Sequence, residues 1–502
     1  MTIDERDRAG AERAGRSDGH RQSAARDIER YGALFAQRTR TMRSSAMRDL
    51  MALTERDDVI SLAGGLPDTS TFPPESYAAL MGDVATRACA RALQYGPTEG
   101  SARTRDCIVK VMAAEGMEVD ADELLVTTGA QQAIDLVCKA LLDPGDVVIA
   151  EAPTYPGAIP TFSSYQAEVV QVTMDRDGMR TDELAATLES LDRAGRRPKF
   201  IYTVPSFNNP AGVTMSEERR RELVRIAAGR ELLVLEDNPY GLLRYEGDPP
   251  PTLHSLDPEF VVYAGTFSKI LSPGLRLGWA VAPGPVLAKL QMGKQGSDLC
   301  SSSISQQFVC AYFEAGEWEA YLGSLRELYR RRRDVMLDAL AEQFPREARW
   351  THPQGGLFIW ATMPDYIDTT DLLARALSEQ VAFVPGRAAY VDGRGGSAMR
   401  LNFSGVDEEA IREGIRRIGE VVREQVAMYG TLTGAPSVPP ASERAGAEPR
   451  RRTRNAVPAI DGDPASGAHG QAPPASATPL AEILTLPAGR RRAGAGRREL
   501  GA

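Results

Sequence analysis

The chain has 502 residues, 42% of them hydrophobic and 25% charged, with a formal net charge of −9. That length exceeds one ordinary core, so two or more folded units are expected, and the acidic balance argues against a general nucleic-acid binder. No apolar run of about 18 residues is present to cross a bilayer as a helix, and five scattered cysteines without CxxC spacing exclude a disulfide framework or zinc site.

Residues 1–28 are rich in Arg, Asp, Glu, Ala and Gly, with no periodic apolar pattern and no signal-peptide core. They read as a disordered extension, and the protein as cytoplasmic. Residues 29–75 read as an N-terminal arm and part of the small domain. Of the four histidines, His20 and His469 lie in low-complexity ends, leaving only His254 and His352 in folded sequence. A Ser-His-Asp triad or multi-histidine metal centre is thereby excluded, no metal is expected, and the chemistry needs other groups or a borrowed cofactor.

From residue 123, short apolar runs alternate with helical patterns, which is the signature of βαβ units and a mostly parallel sheet with helices on both faces. ELLVTT leads through Gly129-Ala130-Gln131 into the helical AQQAIDLVCKALLD. Such a turn aims backbone N–H groups and the helix dipole at an anion, though a plain strand-to-helix loop has the same sequence. DVVIAE is followed by Tyr155, an aromatic placed to stack on a planar ring. KFIYTVP is followed by Asn208-Asn209-Pro210-Ala211-Gly212, a common turn signal in which Asn209 can also donate to a phenolic oxygen and a substrate carboxylate.

ELLVLED ends on Asp237, with Tyr240 three positions on. A carboxylate there can keep a pyridine nitrogen protonated, and Tyr240 can hold the ring's phenolic oxygen; equally, Asp before Asn-Pro starts turns. VVYAGTFSKILSPGLRLGWAVAP is the most specific segment. Lys269, at a strand end, is a nucleophile suited to an aldehyde if deprotonated. Thr266, Ser268 and Arg276 offer two hydroxyls and a guanidinium to a phosphate monoester. A lone lysine beside Ser is usually a surface residue, but the chain has only six lysines and this one lies between an apolar strand and a Pro-Gly turn.

After residue 313 comes a long arginine-studded helix, then GGLFIWATMP and AMRLNFS, strands of a smaller α+β unit. The domain change is placed near residue 330, giving a large domain at 76–330 and a small one at 331–430. Residues 431–502 turn to Ala, Pro, Gly and Arg and read as a disordered tail, whose arginine clusters either meet a nucleic acid or acidic partner or are simply solvated.

These pieces, in this order, resemble the class I/II aminotransferases of pyridoxal 5′-phosphate (PLP) fold type I. The subgroup most resembled is that of the 2-aminoadipate, kynurenine and aromatic aminotransferases. SSAMRDLMALTERDDVISLAGGLPDTSTFP, LQYGPTEG and VAFVPG…AMRLNFS match its further signatures, over about residues 38–425. The resemblance implies an α/β fold: a large domain with a mostly parallel seven-stranded sheet plus a smaller α+β domain. It implies PLP on Lys269 as a Schiff base, Asp237 on the pyridine nitrogen, Tyr240 and Asn209 on the phenolic oxygen, and Tyr155 stacked on the ring. Gly129, Ala130, Gln131, Thr266, Ser268 and Arg276 would hold the phosphate. Tyr95 would reach the neighbouring subunit's phosphate, hence a homodimer with shared active sites. Arg400 would grip the substrate carboxylate, Gly65 would line the pocket, and Arg48 either contacts an acidic side chain or is an exposed helix arginine.

The implied reaction moves an amino group from an L-amino acid to a 2-oxo acid, 2-oxoglutarate foremost, by a ping-pong route. Elimination, oxidation or specialised amino-acid chemistry on the same fold is the alternative. A transcriptional regulator with an aminotransferase-like domain is the remote one, since fewer than 40 mostly polar residues precede the enzyme-like part. One departure from the family, Ala388-Ala389 where an aromatic pair is usual, would widen the pocket near the substrate side chain.

Overall fold

The structure is a computed structural model that describes residues 31–40, 42 and 58–433. The calls on residues 1–28, on Arg48 and on the tail from 434 fall outside the described residues.

Strand β1 (Ile60–Ser61) is followed by the strands of the main sheet: β2 (Leu124–Thr127), β3 (Val147–Ala152), β4 (Glu168–Asp175), β5 (Gly178–Met179), β6 (Pro198–Thr203), β7 (Leu233–Asp237), β8 (Val261–Thr266) and β9 (Gly278–Val281). Their order across the sheet is β2-β9-β8-β7-β6-β3-β4-β5. Strand β9 is antiparallel to both β2 and β8, and β5 is antiparallel to β4; the other pairs are parallel. The expected seven strands are therefore joined by an eighth, the two-residue hairpin strand β5, at the edge.

Alternate residues of the central strands enter separate cores. Val148, Ala150, Phe200, Tyr202 and Leu235 face one; Val147, Ile149, Ile201 and Val234 face the other. Both faces are covered, which is why these strands read as continuous apolar runs rather than alternating ones. Helix Glu217–Ala228, capped by the Ser216 side chain, buries Leu223 and Val224 in the second core.

The smaller sheet contains β10 (Arg349–Trp350), β11 (Phe358–Thr362), β13 (Val384–Pro385) and β14 (Ala398–Asn402), antiparallel in the order β10-β11-β14-β13. Strand β12 (Val381–Ala382) pairs instead with β1, so the segment just before Gly65 is fastened to the C-terminal part of the chain. The helix Trp318–Gln343 runs unbroken through residue 330 and packs on the final helix, Glu408–Thr433.

Candidate active site

The cavity of interest opens beyond the carboxyl ends of β2, β3, β6, β7 and β8, where open α/β sheets place their ligands. It measures about 510 Å³ and is lined by residues from each of those strand ends, from the Gly65 segment and from β14.

Lys269 follows β8 and enters this cavity, its Nζ donating to the Gly65 carbonyl at 2.6 Å. Burial, reinforced by the nearby Arg400 and Arg276 charges, lowers its pKa to about 8. A substantial fraction of the amine is thus neutral near physiological pH, as a nucleophile or base requires.

Asp237 closes β7 at 4% exposure. Tyr202, on neighbouring β6, donates its hydroxyl to Asp237 Oδ2 at 2.7 Å, whereas Oδ1 is buried without a partner. Burial raises the carboxyl to about 6, opposed by the Tyr202 bond. An unmet acceptor facing the cavity calls for a donor in the ligand. Tyr202 was not among the residues singled out from sequence; the available signal was a tyrosine within a buried strand, whose hydroxyl needs a partner.

Asn209 is held by an underlying network. Buried Glu151 accepts from Thr203 Oγ1 at 2.7 Å, Val204 N at 3.0 Å and Asn208 Nδ2 at 2.7 Å. That pins the turn which presents Asn209 to the cavity, 3.5 Å from the Tyr240 hydroxyl. Arg400, on β14, donates to Asn209 Oδ1 at 2.9 Å and Ala63 O at 2.6 Å, and lies 4.4 Å over the Phe358 ring. Burial lowers its pKa to about 10, against the attraction of the Tyr240 and Tyr155 hydroxyls.

At the other end, Ala130 and Gln131 begin the helix Ala130–Leu141 and line the cavity. Gly129 does not line it but precedes that helix at φ +76, where a Cβ would lie 2.5 Å from an Arg276 terminal nitrogen. Glycine there lets the guanidinium lie close to the helix N-terminus. Thr266 Oγ1 accepts from Ser268 N at 3.1 Å and lies 2.8 Å from Ser268 Oγ. Tyr155 also lines the cavity, and a Cβ on Gly157 would approach its ring to 2.4 Å, so that glycine makes room for it.

Anchors distant in sequence set the substrate-side wall. Arg332 pairs with Asp68 at 2.7 Å, and Ser404 Oγ donates to Leu66 O at 2.8 Å. Leu66, Ile134, Val204 and Pro273 line the cavity and were not anticipated. Tyr95 lies outside the cavity at 80% exposure. The expected widening by Ala388-Ala389 is not met: neither lines the cavity. Ala389 is 1% exposed, and its carbonyl accepts from Thr154 N at 3.0 Å and Gln171 Nε2 at 3.1 Å.

The donor set fits PLP on this chain's own atoms: an amine for the aldehyde, an unmet carboxylate oxygen for the ring N–H, and hydroxyls with a helix N-terminus for the phosphate. Fold and cavity together define a PLP-dependent transferase of fold type I. The family model "Aminotransferase class I and II" matches residues 57–418, and the chain belongs to that family. It is 42% identical to an aromatic-amino-acid aminotransferase of Thermococcus litoralis, over 80% of this chain and 96% of the relative. Among solved structures, a Pyrococcus horikoshii kynurenine aminotransferase, crystallised with PMP, superposes with a TM-score of 0.75 at 41% identity, covering 80% of this chain and 98% of that one. An α-aminoadipate aminotransferase of Thermus thermophilus, complexed with N-(5′-phosphopyridoxyl)-L-leucine, gives 0.73 at 36% identity over 79% and 99%. The protein is a PLP-dependent aminotransferase.

Proposed function

We propose that the protein transfers the amino group of an L-amino acid with an aromatic, 2-aminoadipate-like or large aliphatic side chain to a 2-oxo acid, 2-oxoglutarate foremost. The observation that carries the residue assignments is the pairing, in one cavity, of a lysine lowered to about 8 with a carboxylate whose Oδ1 is unmet. The relatives' named substrates support the donor classes.

PLP, when bound, supplies an aldehyde for the amino group and a protonated ring that withdraws electrons from the substrate Cα. Lys269 would hold the cofactor through Nζ, and the same amine would serve as base and then acid for the substrate's Cα proton. Asp237 keeps the ring nitrogen protonated through Oδ1. Tyr240 and Asn209 hold the phenolic oxygen, and Tyr155 covers the ring face. Backbone N–H groups at Ala130 and Gln131, with Thr266, Ser268 and Arg276, would bind the phosphate, and Gly129 would let Arg276 lie close to that helix N-terminus. Arg400 takes the substrate carboxylate, beside the Gly65 backbone. Arg48, which lies outside the described residues, would meet an acidic side chain.

A homodimer, with Tyr95 reaching the partner's phosphate, is supported by the exposure of Leu93 at 72% and Tyr95 at 80%. Among the described residues no helix is long and apolar enough to cross a membrane. A cytoplasmic location is proposed from five unpaired cysteines.

Replacing Lys269 by Ala should abolish turnover and the visible absorbance of bound PLP. Transamination at an appreciable rate in that variant would overturn the assignment. An amino-donor panel against 2-oxoglutarate, read by the 2-oxo acid formed, tests the donor class; activity confined to short aliphatic donors would refute it.

A further inference from the structure

The segment after β7 has two sides. Pro239 and Tyr240 face the main cavity, whereas Asn238, Gly241 and Leu242 line a second one of about 270 Å³. Two half-buried arginines, Arg244 and Arg326, line this second cavity as well. Among the described residues neither has a carboxylate within 4.0 Å; Asp248 acts on Arg244 only from farther away. Arg326 Nε donates to Leu242 O at 2.6 Å. Arg244 spends Nη1 on Glu246 O at 3.2 Å and Gln354 Oε1 at 3.3 Å, while its Nε is buried without a partner. Burial lowers the pKa of both. The Arg244 guanidinium also lies 4.8 Å over the Phe207 ring, and with no carboxylate in reach both half-buried cations still favour an anion.

The deeper groups ask for the opposite. Asn238 is 3% exposed. Its Nδ2 donates to Glu115 Oε2 at 2.6 Å and to the Tyr263 hydroxyl at 3.2 Å, leaving Oδ1 buried with no partner. That oxygen needs a donor. Glu115, also in the lining, accepts from the Tyr263 hydroxyl at 2.8 Å. Burial raises it to about 8, so a cation arriving beside it draws it toward ionisation.

We propose that this second cavity binds a free α-amino acid as its zwitterion, the carboxylate on Arg244 and Arg326 and the ammonium on Asn238 Oδ1 and Glu115. The site is separate from the transamination cavity but shares a wall with it: Asn238 directly follows Asp237, and Tyr240 lies between the two linings.

The test uses holoenzyme whose main cavity is filled by a phosphopyridoxyl–amino acid adduct, so that only additional binding is read. L-Alanine is titrated by calorimetry, with propionate and ethylamine as half-ligands. One saturable site per protomer is expected, tighter for alanine than for either half-ligand, with proton release on binding near pH 8. Arg326→Met should weaken it about tenfold or more, Arg326→Lys less, and Asn238→Asp should alter the proton release. No saturable binding, propionate equal to alanine, or unchanged affinity in Arg326→Met overturns the proposal. Failure to load the adduct at all would instead strike at the transaminase site.

Discussion

Replacing Tyr202 by Phe removes a single hydroxyl from the Asp237 carboxylate while keeping the ring that fills the core. The bond lost is 2.7 Å long and lies between two buried groups. A hydrogen bond to a charged group contributes about 1.5–3 kcal/mol, and one pKa unit corresponds to about 1.4 kcal/mol. Asp237 already titrates at about 6 because burial disfavours its charge. Without the Tyr202 donor it should titrate at roughly 7–8. Only the ionised carboxylate forms a charge pair with the protonated ring nitrogen. With a value of about 7.5, the ionised fraction at pH 6.5 falls from about three-quarters to about one-tenth, an affinity loss of roughly eightfold. The assay is binding of pyridoxamine phosphate to cofactor-free protein, followed by fluorescence from pH 5.5 to 8.5, as the ratio of wild type to variant. That ratio should be largest at the acidic end and approach unity above pH 8.5. Superimposable profiles would refute the claim that Tyr202 sets the charge of Asp237.

In Gly157→Ala, a Cβ 2.4 Å from the Tyr155 ring must displace it; loss of one stacking contact, about 1 kcal/mol, should speed pyridoxamine phosphate release roughly fivefold, and an unchanged off-rate would contradict the crowding. In cofactor-free protein, acetylation of Lys269, followed by peptide mass, should show a midpoint near its pKa of about 8, whereas a midpoint near 10.5, the ordinary lysine value, would show that the site does not desolvate it. Glu115, Glu151 and Asp237 are raised by burial to about 8, 7 and 6. Groups raised on folding contribute stability that is fully present below their unfolded values and is lost as pH rises through the folded ones. The Tm of cofactor-free protein should therefore fall by a few °C, in order of magnitude, from pH 5.5 to 8.5; a rise across that window would contradict the burial. Glu115→Gln should flatten the part of that fall near pH 8.

How legible each element was follows from where it lies in the sheet. Six strands were visible because both faces of the central sheet are covered, making ELLVLED or FVVYAGTFS nearly continuous apolar runs. The strand Glu168–Asp175 went unmarked: near the edge of the sheet, it buries only some of its residues and mixes Glu, Gln, Thr and Asp among its valines. Its hairpin partner Gly178–Met179 is too short to leave a pattern. The tyrosine in KFIYTVP was visible as a strand residue only, because nothing local says that its hydroxyl meets Asp237 one strand over.

The candidate site divides along the same line. The cofactor side is built from strand ends and the turns after them, where backbone geometry and chemistry share one short segment. Lys269 with Thr266, Ser268 and Arg276 spans eleven residues, so local reading found it. The substrate side is built from contacts across the chain: Lys269 with Gly65, Ser404 with Leu66, Arg332 with Asp68, and Arg400 with Ala63 and Asn209. Arg332 looked like any arginine of a charged helix, yet its buried pair with Asp68 is one of the ties that fasten the Gly65–Leu66 segment beside the cavity. Breaking a buried salt bridge from one side costs up to about 3–5 kcal/mol, so this largely buried pair helps hold that wall in place. The reaction class was therefore readable from local sequence. The wall formed by Gly65 and Leu66 exists only once residues 60–68 have met the helix Trp318–Gln343 and the strands near residue 400.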